Sequence, residues 1–389
     1  MYARSLQLPD HSFFLFGPRS TGKTTWLREK LEQALWFNLL LDRDYLSLLQ
    51  DTGILRKAVE AKAAPSWVVL GEVQRIPGLL REVHDLISVH GDKYRFAMSG
   101  SSARKLRRMD VDLLAGRVIE RRMFPLTSKE LGFPVDAARL LTIGALPPIR
   151  QKPELAVDLL EAYVGTYLRQ EIQQEALVKD LGSFGRFLRI AALMNGQVVN
   201  TAGIARDAGI ARTTVQRYFD TLVDTLVGVW VPGWQPRAKV REAVRPKFYF
   251  FDTGVVRTLA NRVRDPLFDL EKSPLLETLV LHELRSAVSY LNCGGEIAYW
   301  RTPAGVEIDF IWSRADTSIA LEVKAADQWR REYSSPLRRA LEEKTVSRGY
   351  GVYLGNRSLR EGNVRILPLQ EFLEHLWAGE VLAVDRTAS

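Results

Sequence analysis

Short apolar runs alternate with helical hydrophobic patterns in the first third of the chain. Continuous apolar runs between helices are typical of a parallel sheet that is covered by helices. Four runs are predicted as strands, at Phe13–Phe16, Trp36–Leu41, Trp67–Leu70 and Arg95–Met98. The pattern therefore predicts an α/β domain with a parallel sheet over residues 1–133.

The pattern changes after this domain. Residues 134–182 are mainly helical, as in Leu155–Tyr167, where apolar positions are three and four residues apart. We expect a helical lid or connector there, a helix-rich domain over residues 183–250, a second and smaller α/β domain over residues 251–378, and a tail over residues 379–389. The strands predicted in the second α/β domain are Ile297–Trp300, Ile308–Trp312, Ile319–Val323 and Tyr350–Leu354.

The composition is that of an ordinary soluble globular protein, since 46% of the 389 residues are hydrophobic and 26% are charged. No apolar run approaches the roughly 20 residues that span a bilayer, and the first ten residues have no signal-peptide core. Cys293 is the single cysteine, so no internal disulfide can form. We expect a cytoplasmic protein with no membrane association. The net charge of +8 favours an anionic partner, most commonly nucleic acid, although a basic solvated surface has the same composition.

A predicted strand, a glycine-containing loop and a predicted helix follow one another near the start of the chain. The loop has the pattern Gly, four residues, Gly-Lys-Thr, which wraps backbone N–H groups around phosphates. Lys23 reaches the terminal phosphates, the Thr24 hydroxyl is a ligand of Mg²⁺, and the positive end of the following helix faces the phosphates. The predicted ATP-binding residues are Gly17, Pro18, Arg19, Ser20, Thr21, Gly22, Lys23, Thr24 and Thr25.

The second motif of a P-loop ATPase is incomplete in this chain. An Asp at the end of a later apolar strand ordinarily holds the Mg²⁺ shell, and in AAA-type ATPases a following Glu polarises the attacking water. Trp67–Leu70 is the strand and Glu72 is the catalytic Glu, but Gly71 occupies the Asp position. Asp42 follows another apolar run but comes too soon after Lys23 to serve. We therefore expect ATP binding with impaired hydrolysis.

Polar residues after the fourth predicted strand are candidates to complete the ATP site. Ser99 and Ser101, in Ser99–Ser102, are placed to sense the γ-phosphate. Arg117 is a candidate to complete an ATP site, either that of its own chain or that of a neighbouring subunit. Plain turn chemistry for the serines, and a surface ion pair for Arg117, are equally consistent with the sequence.

Two predicted helices separated by a short turn containing glycine indicate a helix-turn-helix in the middle of the chain. They are Asn200–Ala208 and Arg212–Val223, preceded by a helix at Phe187–Met194. The second helix begins with polar and basic residues, and the basic segment after Pro232 would form a wing along a phosphate backbone. A winged helix that packs against protein is the alternative. The DNA-binding candidates are Arg212, Thr213, Thr214, Gln216 and Arg217 on the helix, and Arg237, Lys239, Arg241, Arg245 and Lys247 on the wing.

Acidic residues and a lysine lie on two neighbouring predicted strands in the last third of the chain. Glu322 and Lys324 are two residues apart, so both side chains leave the same face, and Asp309 on the preceding strand can join them. Two carboxylates and a lysine can hold Mg²⁺ and activate a water against a phosphodiester. We predict a second metal site at Asp309 and Glu322, together with Lys324 and either Glu277 or Glu283. A structural ion pair is the alternative.

The chain resembles a large bacterial and archaeal group of AAA-type P-loop ATPases over nearly its whole length. This resemblance implies an ATPase core with a helical part, a winged helix and a C-terminal domain similar to PD-(D/E)XK nucleases. It also implies a homo-oligomer, for example a hexameric ring. Gly71 departs from the Asp that is usual in the group. The resemblance rests on Gly17–Thr25, Val69–Gln74, Ser99–Ser102, Leu114–Arg117, Phe251–Gly254, Glu307–Phe310 and Leu321–Lys324.

These features together predict an ATPase that uses ATP and Mg²⁺ and acts on DNA. Nucleotide-driven changes in an oligomer would let the winged helix grip DNA while the terminal domain recognises, remodels or cleaves a DNA structure. The alternative is an ATP-gated regulatory switch that binds a protein partner and has an inert nuclease-like domain.

Overall fold

The computed structural model describes residues 2–63, 65–101, 114, 116–168, 180–235, 245–302 and 305–382, with the backbone alone at residues 167 and 168. The chain forms two compact units. The N-terminal unit comprises Leu6–Pro125 and Asp224–Val227, and the C-terminal unit comprises Met1–Ser5, Leu126–Val223 and Gly228–Ser389.

A five-stranded parallel sheet forms the centre of the N-terminal unit. Its strands are β1 (Phe13–Phe16), β2 (Leu35–Asn38), β3 (Ser66–Gly71), β4 (Tyr94–Gly100) and β5 (Ile119–Arg122), and its helices are α1 (Lys23–Lys30), α2 (Asp42–Gln50), α3 (Gly53–Glu60) and α4 (Leu79–His90). The strands lie in the order β2-β3-β4-β1-β5, and all the pairings are parallel. The predicted α/β fold with a parallel sheet is confirmed.

Burial explains the strand positions in this sheet. The middle of β3 is fully buried at Val68, Val69 and Leu70, as expected for a strand with helices on both faces. The predicted second strand is too long: β2 ends at Asn38, because Leu40 and Leu41 are about half exposed in the turn before α2. Strand β5 was not predicted, since its sequence Ile-Glu-Arg-Arg belongs to a half-exposed edge strand.

The C-terminal unit contains a helical part and two sheets. Its helices are α5 (Ser128–Leu131), α6 (Ala137–Ile143), α7 (Pro147–Gln151), α8 (Ala156–Ala162), α9 (Leu181–Leu193), α10 (Thr201–Ala208), α11 (Arg212–Asp224), α12 (Thr253–Leu259), α13 (Asp269–Tyr290), α14 (Ser335–Glu342) and α15 (Leu369–Trp377). Its strands are β6 (Gly228–Val231), β7 (Lys247–Phe250), β8 (Glu296–Arg301), β9 (Glu307–Arg314), β10 (Thr317–Lys324), β11 (Arg348–Tyr353), β12 (Leu359–Glu361) and β13 (Val364–Pro368).

Strands β8 to β13 form one mixed sheet in the order β12-β13-β11-β10-β9-β8. β8, β9 and β10 are antiparallel neighbours, whereas β11 is parallel to both β10 and β13. The four strands predicted in this region are present, and β12 and β13 were not predicted. Strands β6 and β7 form a separate antiparallel pair.

Asp252 and Gly254, in the segment Phe251–Gly254, have structural roles. The carboxylate of Asp252 caps α12 by accepting a hydrogen bond from Val255 N at 3.1 Å, and it also accepts one from Ala145 N at 2.8 Å. Its complete burial raises the pKa of Asp252 to about 6. A Cβ on Gly254 would lie 2.4 Å from Ile143 O, so only glycine allows α12 to pack this closely on the end of α6. This segment therefore fastens two helices together.

No helix in the described part of the chain is both long enough and apolar enough to cross a membrane.

Candidate functional site

Strands β1, β3 and β4 end together at one edge of the N-terminal sheet. Phe16 pairs with Gly100, and Gly71 pairs with Ser99, so the three strands stop at nearly the same level. The loop that begins at Gly17 therefore leaves the sheet beside the segments after β3 and β4. This edge contains the predicted nucleotide site.

The loop between β1 and α1 has the backbone that a phosphate-binding loop needs. Ser20 and Gly22 both have positive φ angles, of 63° and 91°, which turns successive N–H groups toward the inside of the loop. A Cβ on Gly17 would lie 2.3 Å from Met123 O, so glycine is required where the loop passes the end of β5.

Lys23 is buried inside the loop. Its ammonium group donates to Gly17 O at 2.6 Å and to Pro18 O at 3.0 Å. A terminal phosphate of a bound nucleotide would replace these carbonyls as the hydrogen-bond acceptor of the Lys23 ammonium. Thr24 is exposed in the first turn of α1, where its hydroxyl suits the Mg²⁺ that accompanies ATP. The residues of the loop therefore fit a Mg²⁺-nucleotide.

Glu72 directly follows β3 and faces the segment after β4. Its Oε2 accepts a hydrogen bond from Gln74 Nε2 at 2.7 Å and another from Ser101 Oγ at 3.3 Å. Glu72 has a φ of 58°, in the left-handed region that few residues other than glycine adopt. The carboxylate is therefore held in one orientation at the sheet edge, as a group that positions a water must be.

Position 71 has room for a side chain. The φ of Gly71 is not positive, and a Cβ there would be 3.4 Å from Asn38 Oδ1, which is an ordinary contact. Ser99 lies opposite Gly71 on β4 and is buried, while Ser101 is the serine that reaches Glu72. The packing around position 71 therefore leaves room for the side chain of an Asp.

Arg117 lies at the opposite edge of the sheet from the phosphate-binding loop. It precedes β5, whose first residue, Ile119, pairs with Phe13 at the start of β1. The Arg117 guanidinium contacts His84 on α4. The expectation that Arg117 completes the ATP site of its own chain is therefore wrong, because the parallel strands separate it from the loop. Its role in the site of a neighbouring subunit stays a prediction.

The predicted helix-turn-helix segments are present as α10, a turn and α11. Asn200 caps α10 by accepting from Gly203 N at 3.2 Å, and Gly209 ends it with a φ of 66°. Val215, Tyr218, Phe219 and Leu222 are buried, as expected. The candidates Arg212, Thr213, Gln216 and Arg217 are exposed on the other face of α11, and Thr214 is half-buried.

The predicted wing is described only at its ends. Arg237, Lys239 and Arg241 lie outside the described residues. Arg245 is exposed, as a phosphate-binding residue should be. Lys247 is 3% exposed and lies in an ion pair with Glu307 and 3.9 Å from Glu277. The prediction that Lys247 contacts DNA is therefore wrong.

Asp309, Glu322, Lys324 and Glu277 form one buried acidic cluster with Lys247. Asp309 Oδ2 accepts from Val323 N at 2.8 Å, and Lys324 Nζ lies 2.5 Å from Glu322 Oε1 and 3.8 Å from Asp309 Oδ2. Burial, with the charge of Asp309 next in importance, raises the pKa of Glu322 to about 8 and that of Glu277 to about 7. Burial opposes the charge on Lys324, but the carboxylates of Asp309 and Glu322 raise its pKa overall.

The acidic cluster does not fit a resident Mg²⁺ as it stands. Within the described ranges, no three His, Cys, Asp or Glu side chains are placed to hold a metal ion. The ammonium of Lys324 lies 2.5 Å from Glu322 Oε1 and 3.8 Å from Asp309 Oδ2, so a positive charge already faces both acids. Lysine therefore supplies the positive charge that the predicted second metal site assigned to Mg²⁺.

Glu283 does not belong to this cluster. Its carboxylate accepts from Ser128 N at 2.7 Å, from Ser128 Oγ at 3.0 Å and from Trp377 Nε1 at 2.7 Å. The two candidates for the helical acid are thus resolved: Glu277 faces the cluster, and the proposal of Glu283 as a metal ligand is wrong.

Three segments of the chain match known protein families. Residues 10–132 match the family described as AAA domain. This segment is therefore similar to AAA-type P-loop domains. Residues 135–265 match a domain of unknown function, DUF8612, and residues 272–372 match another, DUF4143.

The sequence similarity to two other proteins covers nearly the whole chain. Uncharacterized proteins of Mycobacterium bovis and Mycobacterium tuberculosis are each 27% identical over 377 residues, which is 95% of this chain and 82% of theirs. Among solved structures, the Orc1 protein of Aeropyrum pernix in complex with DNA is 13% identical, with a TM-score of 0.32, and the match covers 67% of this chain and 88% of that one. A RuvB protein of Thermotoga maritima is 18% identical, with a TM-score of 0.27 and coverage of 57% and 82%.

Gln74 and Lys247 are the important residues whose roles sequence reasoning missed. Gln74 connects Glu72 to Ser101 at the edge of the AAA domain, with its Nε2 3.3 Å from Ser101 Oγ. Its position two residues after Glu72, in the tight turn Val73–Arg75, was the available signal. Nothing in the basic pattern around Lys247 distinguished it from the exposed Arg245.

The buried position of Glu283 generates a pH-dependent prediction. Burial raises its pKa to about 7 from an unfolded value of 4.5. The folded state therefore binds the proton more tightly, and this group's contribution to stability falls as the pH rises from about 4.5 to 7. Glu283→Gln lacks this titration. The free energy of unfolding of the variant minus that of the unmodified chain should therefore become more positive from pH 5 to pH 8, by on the order of 3 kcal/mol.

Denaturant unfolding at the two pH values measures this difference. Glu296→Gln, at an exposed position of β8, is the matched control and should show no such change. A Glu283→Gln difference that is independent of pH would contradict the assignment.

Proposed function

We propose that this protein is a DNA-acting ATPase whose AAA domain binds Mg²⁺-ATP and whose C-terminal unit binds DNA. The observation that carries the proposal is the joint position of Lys23 and the Glu72–Ser101 pair at one edge of the parallel sheet. A loop that holds phosphates next to an oriented carboxylate is the arrangement that NTP hydrolysis needs.

Each residue of the ATP site has a separate task in this proposal. The loop from Gly17 to Gly22 offers N–H groups to the phosphates, and Lys23 neutralises the terminal phosphate. Thr24 would hold the Mg²⁺ that arrives with ATP. Glu72 orients the attacking water, and Ser101 together with Gln74 keeps the Glu72 carboxylate in position. Arg117, at the other edge of the sheet, would serve a neighbouring subunit in an oligomer.

The exposed face of α11 supports binding of DNA. Arg212, Gln216 and Arg217 lie on this face, next to the short turn after α10. With β6 and β7 following, the segments have the order of a winged helix, in which the second helix of the turn enters the major groove. Arg245, just before β7, is a further exposed cation of the C-terminal unit.

The acidic cluster favours recognition of DNA over cleavage. Lys324 already pairs with Glu322 and lies 3.8 Å from Asp309, the two acids that a nuclease would use for a metal. We therefore propose that the nuclease-like sheet is a binding scaffold in this chain.

The same cluster also supports the second candidate function, an ATP-gated switch that binds a protein partner. Glu307 pairs with the buried Lys247 and Glu322 pairs with the half-buried Lys324, and ion pairs of this kind inside a fold do not require DNA. Binding of DNA by the chain therefore decides between the two functions.

Gly71→Asp should raise the rate of ATP hydrolysis. The new carboxylate would stand at the end of β3, beside Ser99, where it can orient the Mg²⁺ shell. We expect an increase in kcat of about tenfold or more, equivalent to roughly 1.4 kcal/mol of the barrier. Steady-state phosphate release measures the rate.

Gly71→Asn is the matched control, since it fills the same space without a charge and should leave kcat near the original value. Lys23→Ala should abolish nucleotide binding. Equal rates for Gly71→Asp and the unmodified chain would refute the role assigned to position 71.

Replacing Arg212 and Arg217 together by alanine should weaken DNA binding. Loss of two phosphate contacts should make the slope of log affinity against log salt shallower by about two for duplex DNA. Fluorescence anisotropy with a labelled duplex at several salt concentrations measures both quantities. Thermal unfolding checks the fold, because Arg212 Nε donates to Thr201 Oγ1 at 3.0 Å.

The double variant Arg330→Ala/Arg331→Ala removes the same charge from exposed positions away from α11 and is the control. Unchanged affinity and slope in the Arg212/Arg217 variant would favour the regulatory switch.

No Mg²⁺-dependent cleavage of duplex or branched DNA is expected from the unmodified chain, because the positive charge of Lys324 already faces Asp309 and Glu322. A gel assay with labelled DNA tests this. Cleavage that disappears in Glu322→Gln would overturn the scaffold assignment.

A further inference from the structure

A large polar cavity lies at the amino-terminal edge of the C-terminal sheet. Its volume is about 890 Å³, and its walls come from the starts of β10, β11 and β13, the end of β12 and the turn before β11. Glu322 and Lys324 stand at the opposite, carboxyl-terminal end of β10. The cavity is therefore separate from the acidic cluster.

The charged residues of the cavity are mostly positive. Lys344, Arg348, Arg360 and Arg365 line it, against the two acids Asp316 and Glu380. The acid Glu380 is already engaged by His375. The positive charge is therefore in excess.

Strand register brings three of these cations onto one face of the sheet. Arg360 on β12 pairs directly with Arg365 on β13, and Arg365 pairs with Tyr350 on β11. Arg348 is two residues before Tyr350 and so projects from the same face. Like charges directly opposite each other on neighbouring strands destabilise a sheet. An anion between them would remove this repulsion.

The cations of the cavity have no acidic partner in the part of the chain that the structure describes. Among the residues that the structure describes, no carboxylate lies within ion-pair distance of the four cations Lys344, Arg348, Arg360 and Arg365. By contrast, Arg338 and Arg339 on the nearby α14 both reach acids, Glu361 and Glu343. Arg360 Nε donates to Gly362 O at 3.0 Å, which holds the arm of that side chain in place. The Arg360 side chain is thus held in place without an acidic partner among the described residues.

The geometry points to phosphate esters as the ligand of this cavity, and we propose that it binds the phosphates of a nucleic acid strand or of a free nucleotide. Guanidinium groups bind phosphate oxygens in pairs of hydrogen bonds, and several arginines on one face suit a group with more than one negative charge. The volume is in the range of a nucleotide-sized ligand. Asn363 and Thr345 add neutral polar groups to the lining. The proposal does not depend on the ATP site or on α11.

The test uses the full chain carrying Lys23→Ala, so that nucleotide cannot bind in the phosphate-binding loop. In this background Arg360→Ala/Arg365→Ala is compared with Arg330→Ala/Arg331→Ala, which removes the same charge outside the cavity. The probes are a labelled 20-nucleotide single strand, followed by anisotropy across a salt series, and ADP, followed by calorimetry.

We expect Arg360→Ala/Arg365→Ala to weaken one of the two probes by about tenfold or more, while the control stays within about twofold. Weaker binding of the single strand, with a slope of log affinity against log salt that is shallower by about 1.4, identifies a nucleic acid as the source of the phosphates. Loss with ADP alone identifies a free nucleotide. The same variant should unfold at an equal or higher temperature, because a like-charge pair has been removed.

Unchanged binding of both probes would overturn the proposal, as would an equal loss in the control variant. These results are independent of Arg212 and Arg217, so failure here and failure of DNA binding by α11 can be told apart.

Discussion

Buried charge that must find a partner inside the protein is the constraint on which both units depend. An ion that is moved from water into the interior without compensation costs several kcal/mol, so each buried ion fixes the groups around it. Lys23 is satisfied by the carbonyls of its own loop, and Arg257 by the carboxylate of Glu271 at 3.2 Å. Lys247 is satisfied by acids contributed by α13 and β9. These pairings set the shape of the loop, of the helical part and of the β7 strand.

The type of partner determines what each site can do. Among the described residues, Lys23 donates to two neutral carbonyls of its own loop, which a phosphate can replace with a gain in electrostatic energy. The partners of Lys247 and Lys324 are acidic side chains that belong to the strands and helix of the cluster itself. The first lysine therefore belongs to a site that exchanges ligands, and the other two belong to a cluster that is held together permanently.

The sequence predicted those features whose cause is local. The phosphate-binding loop lies on one continuous segment, and the ends of α10 are set by the Asn200 cap and the left-handed Gly209 within the same few residues. The position of Arg117 could not be predicted, because it depends on β5, whose charged sequence gives no strand pattern. The choice between Glu277 and Glu283 also stayed open. Six residues along a helix place their side chains about 120° apart, and only the packing of α13 decides which face meets the sheet.

Glu72 combines an oriented carboxylate with a backbone conformation that favours glycine. A residue with a side chain held in this region costs about 1–3 kcal/mol of stability, and the surrounding structure has to offset that strain. Glycine at this position would relax the backbone while removing the group that faces Ser101. Stability and catalysis therefore favour different residues at position 72. A selection for variants with higher thermal stability would favour the replacement of Glu72 by glycine.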